Sequence, residues 1–311
     1  MPAPRPFRFG VSARFAWAPD AWRDLAHDSE STGFDTLLLA DHLSDMLPPM
    51  VPLASAAEVT TTLRLGTLVL NNDFHHPAWL AREAAALDAL TGGRFELGMG
   101  AGHMKAEYDQ VGLPFDRAGV RVDRLVESVA VVRSLLAGEQ VTHAGDHYTL
   151  AGHRCFPMPA GPIPLLIGGN GTRVLQLAAT AADIVGFTGF HQVEGTRDTG
   201  LSHFTAAGLD DRIAVVRAAA GERFAELELN LLVQVVTVTR DRRAAAEAMT
   251  TRLPGMSVDE ILDSPFLLLG TLGQIADQLV ERRERFAVSY IAVFEPAHRA
   301  LAPVVERLAG T

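Results

Sequence analysis

Residues 163–187 read IPLLIGGNGTRVLQLAATAADIVGF. Ile163–Ile167 and Ile184–Phe187 are short, nearly continuous apolar runs, which are typical of parallel strands buried on both faces. Between them the pattern predicts a helix over Thr172–Ala181, and glycines fill the turn that joins the first strand to this helix. The segment therefore predicts a β-α-β unit, and such a unit implies a parallel sheet.

The same alternation of strands and helices extends over the whole chain. Further strands are predicted at Phe7–Val11, Thr36–Ala40, Arg64–Leu70, Phe95–Met99, Glu228–Thr239 and Ser289–Phe294. Because helical patterns separate the strands and no Pro/Gly/Ser-rich linker interrupts them, we expect an α/β fold, a single (β/α)8 TIM barrel over residues 1–311. Insertions into the barrel are expected near residues 140–159, 189–207 and 254–269. A doubly wound open sheet is the alternative architecture.

The composition argues against several classes of protein. With 27 Lys+Arg against 37 Asp+Glu, the net charge is −10 and no basic cluster suits nucleic acid. No apolar run approaches the roughly 18 residues of a membrane span, and the N-terminus lacks the apolar core of a signal peptide, so we expect a cytoplasmic protein. The single cysteine, Cys155, excludes an intrachain disulfide. His143, Asp146 and His147 only superficially resemble a metal site, and we predict none.

Polar residues follow several of the predicted strands. Catalytic residues of barrels lie at the C-terminal ends of the strands, a rule that selects Asp41 and His42 after the second strand and Asn71 after the third. Histidine titrates near neutrality and can donate or accept a proton. The alternative is a buried histidine that a neighbouring group satisfies.

Glycines dominate the turns after the fourth and fifth strands. Gly98, Gly100 and Gly102 have the spacing G-x-G-x-G, which does not match the dinucleotide fingerprint. They permit either the close approach of a planar ring or simply a tight turn. The run Gly168-Gly-Asn-Gly-Thr172 precedes a predicted helix, where free backbone N–H groups and the positive helix end suit a phosphate. Its alternative is a glycine-rich turn with Thr172 as an ordinary N-cap.

Several stretches resemble the bacterial-luciferase-like superfamily, and more closely its F420-dependent oxidoreductase branch. The stretches are Phe34–His42, His76–Glu83, Asp88, Thr91–Gly98, Gly100–Glu107, Pro164–Gly169 and Leu269–Gln274. The resemblance implies a barrel that binds a flavin or deazaflavin at its C-terminal mouth. It also implies that Leu68-Val69 forms a non-prolyl cis peptide behind the ring of the cofactor.

The resemblance assigns roles to individual residues. The residues expected to bind the cofactor are Asp41, His42, Leu68, Val69, Asn71, Gly100, Ala101, Gly102, Gly168, Gly169, Asn170 and Gly171, the last four through its phosphate. The catalytic residues would be His42, His103 and Asp41, with His42 or His103 moving the proton that accompanies hydride transfer at C5 of the deazaflavin.

Two positions depart from the sugar-phosphate dehydrogenases of this family. Those enzymes have a glutamate where this chain has His103 and a tryptophan where it has Met46, and no basic cluster is present to hold a sugar phosphate. We therefore expect F420-dependent reduction of a C=C or C=N bond in a small organic or natural-product substrate. Four apolar residues of the variable segments, Phe190, Phe204, Met256 and Phe266, are expected to line an apolar substrate pocket.

Two alternative functions remain open. The first is an FMN-dependent monooxygenase that uses reduced flavin and oxygen, because the phosphate loop suits both cofactors. F420 is favoured by the Gly100–His103 run and by a composition rich in alanine, with arginine in place of lysine, which suggests a GC-rich bacterial genome. The second is a non-catalytic flavin-binding barrel, against which Asp41, His42 and the glycine loop argue. The resemblance also implies a homodimer, for which Ala84–Leu90 offers an apolar helix, and a redox partner that reduces F420 or flavin.

Overall fold

The computed structural model describes residues 5–15, 18–44, 46–192, 199–201 and 203–311. The strands are β1 (Arg8–Ala13), β2 (Thr36–Leu39), β3 (Arg64–Thr67), β4 (Leu70–Asn71), β5 (Phe95–Gly100), β6 (Val141–Ala144), β7 (Thr149–His153), β8 (Leu165–Gly168), β9 (Ile184–Phe187), β10 (His191–Gln192), β11 (Thr199–Gly200), β12 (Glu228–Val233), β13 (Val235–Val238), β14 (Leu267–Gly270) and β15 (Val288–Phe294). The helices are α1 (Pro19–Ser31), α2 (Met50–Ala57), α3 (Pro77–Thr91), α4 (Lys105–Val111), α5 (Ala118–Leu136), α6 (Thr172–Ala181), α7 (Ala206–Ala220), α8 (Arg242–Met249), α9 (Val258–Asp263), α10 (Leu272–Phe286) and α11 (Ala297–Leu308).

Within the described ranges, eight parallel strands close into a barrel in the order β1, β2, β3, β5, β8, β9, β12, β15. The pairing of β1 with β15 and of β3 with β5 completes the closure. Helices surround the barrel and bury its outer face. The predicted TIM barrel is thereby confirmed, and the open-sheet alternative is excluded.

Two strands that the sequence predicts as continuous are divided. The run Arg64–Leu70 forms β3 and β4, separated by a cis peptide bond between Leu68 and Val69. The run Glu228–Thr239 leaves the barrel after β12, and its second half, β13, pairs with β14 outside it. Gln234 marks the break, where its side-chain amide donates to the carbonyls of Thr188 (3.3 Å) and Leu232 (3.1 Å). The prediction of one long strand was therefore wrong.

The three insertions contain structure of their own. β6 and β7 form an antiparallel hairpin, and β10 and β11 form a second short antiparallel pair. Residues 193–198 and 202 of the second insertion lie outside the described residues. The third insertion contains α9 and leads into β14.

Aromatic rings hold the second and third insertions together. Phe204 stacks between Phe190 and Phe266, with ring centroids 4.8 and 5.2 Å apart. Phe204, Phe266 and Met256 are buried, so the expectation that they line a substrate pocket was wrong. Their apolar surface is consumed by packing between the insertions.

Charged side chains close the N-terminal end of the barrel. Arg8 pairs with Glu228 at 2.6 Å and with Glu96, which also accepts from Arg64. Above them an apolar layer that includes Leu38, Leu166 and Tyr290 fills the barrel. These layers leave the C-terminal end as the open mouth.

None of the helices in the described part of the chain is long and apolar enough to cross a membrane.

Candidate active site

The bulge between β3 and β4 projects a side chain towards β5 and β8. A Cβ on Gly100 would lie 2.7 Å from Val69 Cγ2, and a Cβ on Gly168 would lie 2.9 Å from Val69 Cγ1. Glycine at both positions therefore lets Val69 pack against the ends of two strands. The cis peptide that the family resemblance implies is present at Leu68-Val69, and Val69 is half-buried at the mouth.

The other glycines of the run after β5 are also required by the chain itself. A Cβ on Gly98 would lie 1.9 Å from the carbonyl oxygen of Thr67. Gly102 has a φ of +72°, and a Cβ there would lie 2.1 Å from the hydroxyl oxygen of Tyr108. Close packing within the protein thus explains these glycines, a reason that neither sequence-based reading included. Ala101, between Gly100 and Gly102, is half-buried.

His42 follows β2 and is held by a carboxylate from α4. Its Nδ1 lies 2.9 Å from Oε1 of Glu107, and the backbone N–H of Leu43 donates to the same oxygen at 3.2 Å. The Glu107 side chain is 5% exposed, whereas that of His42 is 28% exposed. One edge of the imidazole is therefore tied to a buried anion, while part of the ring remains open to solvent.

A second imidazole stands beside the first. The rings of His42 and His103 meet edge to face, with centroids 5.7 Å apart. His103 is exposed to solvent, but neighbouring protein atoms still desolvate its ring in part. This desolvation, together with the nearby charges of His42 and Arg121, lowers the pKa of His103 to about 4. His103 is therefore neutral at pH 7.

Asp41 stabilises the bulge between β3 and β4 through hydrogen bonds. Its Oδ2 accepts the backbone N–H of Asn71 at 3.1 Å and lies 2.8 Å from Nε2 of His75. The Asn71 side chain in turn accepts from the Tyr108 hydroxyl at 3.0 Å. The side chains of Asp41 and Asn71 thus help to fix β4 at the rim of the mouth.

The turn between β8 and α6 is open on one side. Gly171 is the N-cap of α6 and provides no side chain, and an added Cβ there would meet no described atom within 4 Å outside the adjoining backbone. The N–H groups of the first helical turn therefore lack a side-chain cap. Asn170 is buried, and its amide donates to the hydroxyl of Thr188 at 3.2 Å and to the carbonyl of Phe190.

A cation from α7 reaches the same turn. Nη1 of Arg212 donates to the carbonyl of Asn170 at 3.4 Å and to the hydroxyl of Thr172 at 3.3 Å. Nε of Arg212 and Oδ1 of Asn170 are buried and have no hydrogen-bond partner among the described residues. A guanidinium beside an uncapped helix N-terminus is suited to a phosphate, so the residues present fit a cofactor that ends in one.

Sequence reasoning missed two residues of this arrangement. Glu107 lies on α4, a seven-residue helix too short to show a clear periodicity. It ends the stretch Gly100–Glu107 that carries the family resemblance, but neither pattern nor resemblance assigns it a role. Arg212 lies 42 residues beyond Asn170, and no local pattern distinguishes it from the other arginines.

The family of the chain follows from comparison with known proteins. A family model described as luciferase-like monooxygenase matches residues 7–257. The chain belongs to this luciferase-like family. The F420-dependent glucose-6-phosphate dehydrogenase of Nakamurella multipartita is 31% identical over 253 residues, which cover 78% of this chain and 71% of the relative. Further curated relatives are matched over about half of their length. The resemblance identified from sequence is confirmed, and this luciferase-like protein is an oxidoreductase.

Solved structures share the fold of this luciferase-like chain at lower identity. The F420-dependent tetrahydromethanopterin reductase of Methanopyrus kandleri has a TM-score of 0.75 at 19% identity, covering 97% of this chain and 96% of that one. A monooxygenase from Streptomyces bottropensis has a TM-score of 0.72, also at 19% identity, covering 97% of both chains. Because the same fold carries both kinds of enzyme, the fold alone does not select the cofactor.

Proposed function

We propose that this protein is an F420-dependent oxidoreductase that transfers a hydride between F420 and a small organic or natural-product substrate, reducing a C=C or C=N bond. The observation that carries the proposal is the pair His42 and His103, 5.7 Å apart at the mouth of the barrel. A hydride transfer to a double bond also requires a proton, and imidazoles are suited to supplying it. The F420-dependent relative adds weight to this choice of cofactor.

Two sets of residues at the mouth of the barrel would hold the cofactor, one its phosphate and the other its ring. The backbone N–H groups of Gly168–Gly171 and the guanidinium of Arg212 would hold its phosphate. Around its ring would stand Asp41, His42, Leu68, Val69, Asn71, Gly100, Ala101 and Gly102. When bound, F420 supplies a two-electron carrier that donates or accepts a hydride at C5. His42 and His103 would bind the polar end of the substrate, and Asp41 would keep β4 in place through Asn71.

Three further properties belong to the same proposal. We propose a cytoplasmic homodimer that obtains its reduced cofactor from a separate F420-reducing enzyme. Two large apolar side chains of α3 that are open to solvent support the homodimer: Trp79 is 72% and Leu90 77% exposed. Light scattering on the purified protein would report a monomer mass if the dimer does not form.

A binding titration tests the choice of cofactor. The purified apoprotein is titrated with F420 and with FMN, each in its oxidised and reduced form. Micromolar or tighter binding of F420 with weak FMN binding is the expected result. Preference for reduced FMN would instead assign the protein to the oxygen-dependent monooxygenases, whose cofactor also ends in a phosphate. Binding of neither would overturn the proposal.

A matched pair of variants tests the phosphate site. Arg212→Gln should weaken cofactor binding by about 10-fold, because one charge-assisted contact to the phosphate is lost. Arg217→Gln, on the same helix with its guanidinium over the Phe224 ring, is the control and should leave the affinity unchanged. Equal affinities of the two variants would show that Arg212 does not contact the cofactor.

A further inference from the structure

We propose that Glu107 is the positioning residue of the active site: it fixes His42 with its proton on Nδ1, so that Nε2 exchanges the proton with the substrate while His103 serves only as a hydrogen-bonding group. This inference rests on the proposed function for its chemistry. Its first test below reads the imidazole directly and needs neither cofactor nor substrate.

The carboxylate determines which nitrogen of His42 carries the proton. An ionised carboxylate only accepts hydrogen bonds, so the 2.9 Å contact to Oε1 requires a proton on Nδ1. In the neutral ring Nε2 then holds the lone pair. The Leu43 N–H, donating to the same oxygen at 3.2 Å, holds the carboxylate in place. His42 is thus presented in one tautomer and one orientation.

Burial of the anion strengthens this control. With 5% of the Glu107 side chain exposed, water competes little for the hydrogen bond to Nδ1. The same carboxylate stabilises the imidazolium that forms when Nε2 accepts a proton. His42 therefore has what a proton carrier needs: a fixed lone pair and a counter-charge for its protonated form.

The charges around the second imidazole have the opposite effect. His103 faces His42 and Arg121, and Arg121 is anchored next to it through the carbonyl of Gly102 at 3.3 Å. A positive charge on His103 would be repelled by Arg121 and, whenever it is protonated, by His42. The carboxylate of Glu107 is hydrogen-bonded to His42, so its negative charge stabilises a protonated His42 and not a protonated His103. His103 therefore stays uncharged and can donate or accept a hydrogen bond without taking up the proton.

The reduction of a double bond then balances in a simple way. It adds one hydride and one proton, and the hydride comes from reduced F420. The imidazolium of His42 gives the proton from Nε2 to the atom that does not receive the hydride. The ring returns to its neutral form with Nδ1–H still donating to Glu107, and its exposed edge regains a proton from solvent.

Nuclear magnetic resonance reads the tautomer without any ligand. Long-range ¹H–¹⁵N spectra of the wild-type protein at a pH where His42 is neutral should show Nδ1 protonated and Nε2 unprotonated, with the signals assigned by their loss in His42→Gln. In Glu107→Gln the amide can act as donor or acceptor, so a mixture of tautomers is expected. A wild-type His42 with its proton on Nε2 would overturn the inference, whatever cofactor the protein uses.

Kinetics test the consequence with a matched control. Glu107→Gln keeps an acceptor for the Leu43 N–H and should lower kcat by about 10- to 100-fold with little change in KM. Glu127→Gln is the control, because Glu127 on α5 holds His143 (2.8 Å) and two backbone N–H groups of the hairpin insertion in the same manner. An unchanged kcat in Glu107→Gln, or an equal loss in both variants, would contradict a positioning role. Absence of F420 turnover in the wild type would instead count against the proposed function.

Discussion

Val69 Cγ2 lies only 2.7 Å from the point where a Cβ on Gly100 would stand. The isopropyl group of valine has little rotational freedom, so an alanine at position 100 would have to displace it. We expect Gly100→Ala to lower the free energy of unfolding by about 1–3 kcal/mol, measured by urea denaturation.

Shortening the side chain of Val69 should relieve this clash. Adding Val69→Ala to Gly100→Ala should recover part of the loss, so that the double variant is more stable than the sum of the single effects predicts. Gly161→Ala is the control, since an added Cβ there meets no atom within 4 Å. Strictly additive effects would show that the two positions do not press on each other.

The lowered pKa of His103 predicts a pH dependence of stability. The folded protein holds this pKa at about 4, below the usual value of 6.5, so the unfolded chain binds more protons between these two values. Stability should therefore fall as the pH decreases from about 6.5 towards 4, and His103→Gln should flatten this slope. Thermal melts across this range test it, with the exposed His27→Gln as control. A slope unchanged in His103→Gln would contradict the prediction.

Glu30 predicts a further loss of stability at lower pH. Its carboxylate accepts the backbone N–H groups of Thr61, Thr62 and Leu63 at 2.6–2.9 Å, and these bonds lower its pKa to about 2 despite partial desolvation. The stabilisation is present above pH 4.5 and is lost as the pH falls towards 2. Glu30→Gln should cost about 1–2 kcal/mol at pH 7 and much less near pH 2. The exposed Glu58→Gln serves as control, and a loss in Glu30→Gln that persists at pH 2 would refute the carboxylate's role.

The charged N-terminal end of the barrel should tolerate loss of its central anion poorly. Glu96 is 3% exposed and bonds both Arg8 and Arg64, so Glu96→Ala leaves two guanidinium groups short of a partner. We expect a loss of about 3–5 kcal/mol in the free energy of unfolding. Glu247→Ala, which removes an exposed pair with Arg243, should cost less than about 1 kcal/mol. Similar losses in both variants would mean that the buried network contributes little.

The sequence predicts the elements of the barrel better than their interruptions. Helix Thr172–Ala181 and strand Ile184–Phe187 have the predicted bounds, because their apolar patterns are clear and glycines precede the helix and follow the strand. The cis peptide after β3 leaves no mark in the apolar run itself. Likewise, β13 consists only of β-branched residues, which favour a strand, so only tertiary pairing shows that it leaves the barrel.

The candidate site likewise contains residues that the sequence predicts and residues that only the folded structure reveals. The barrel rule finds His42, the glycine pattern before a helix finds the turn at Gly168–Gly171, and the family resemblance finds His103. Glu107 and Arg212 contribute through contacts between elements, α4 with the end of β2 and α7 with the start of α6. Such contacts depend on how distant segments pack, and one sequence read by local pattern does not contain them.

Arg212 and Asn170 hold the turn between β8 and α6 in one conformation. Hydrogen bonds from Arg212 on one side, and from the Asn170 amide to Thr188 and Phe190 on the other, fix the main chain of this turn in the free protein. An anion arriving there meets N–H groups that are already aligned, so association would proceed in a single step. Its observed rate would rise linearly with ligand concentration and would reach no plateau set by a slow loop rearrangement.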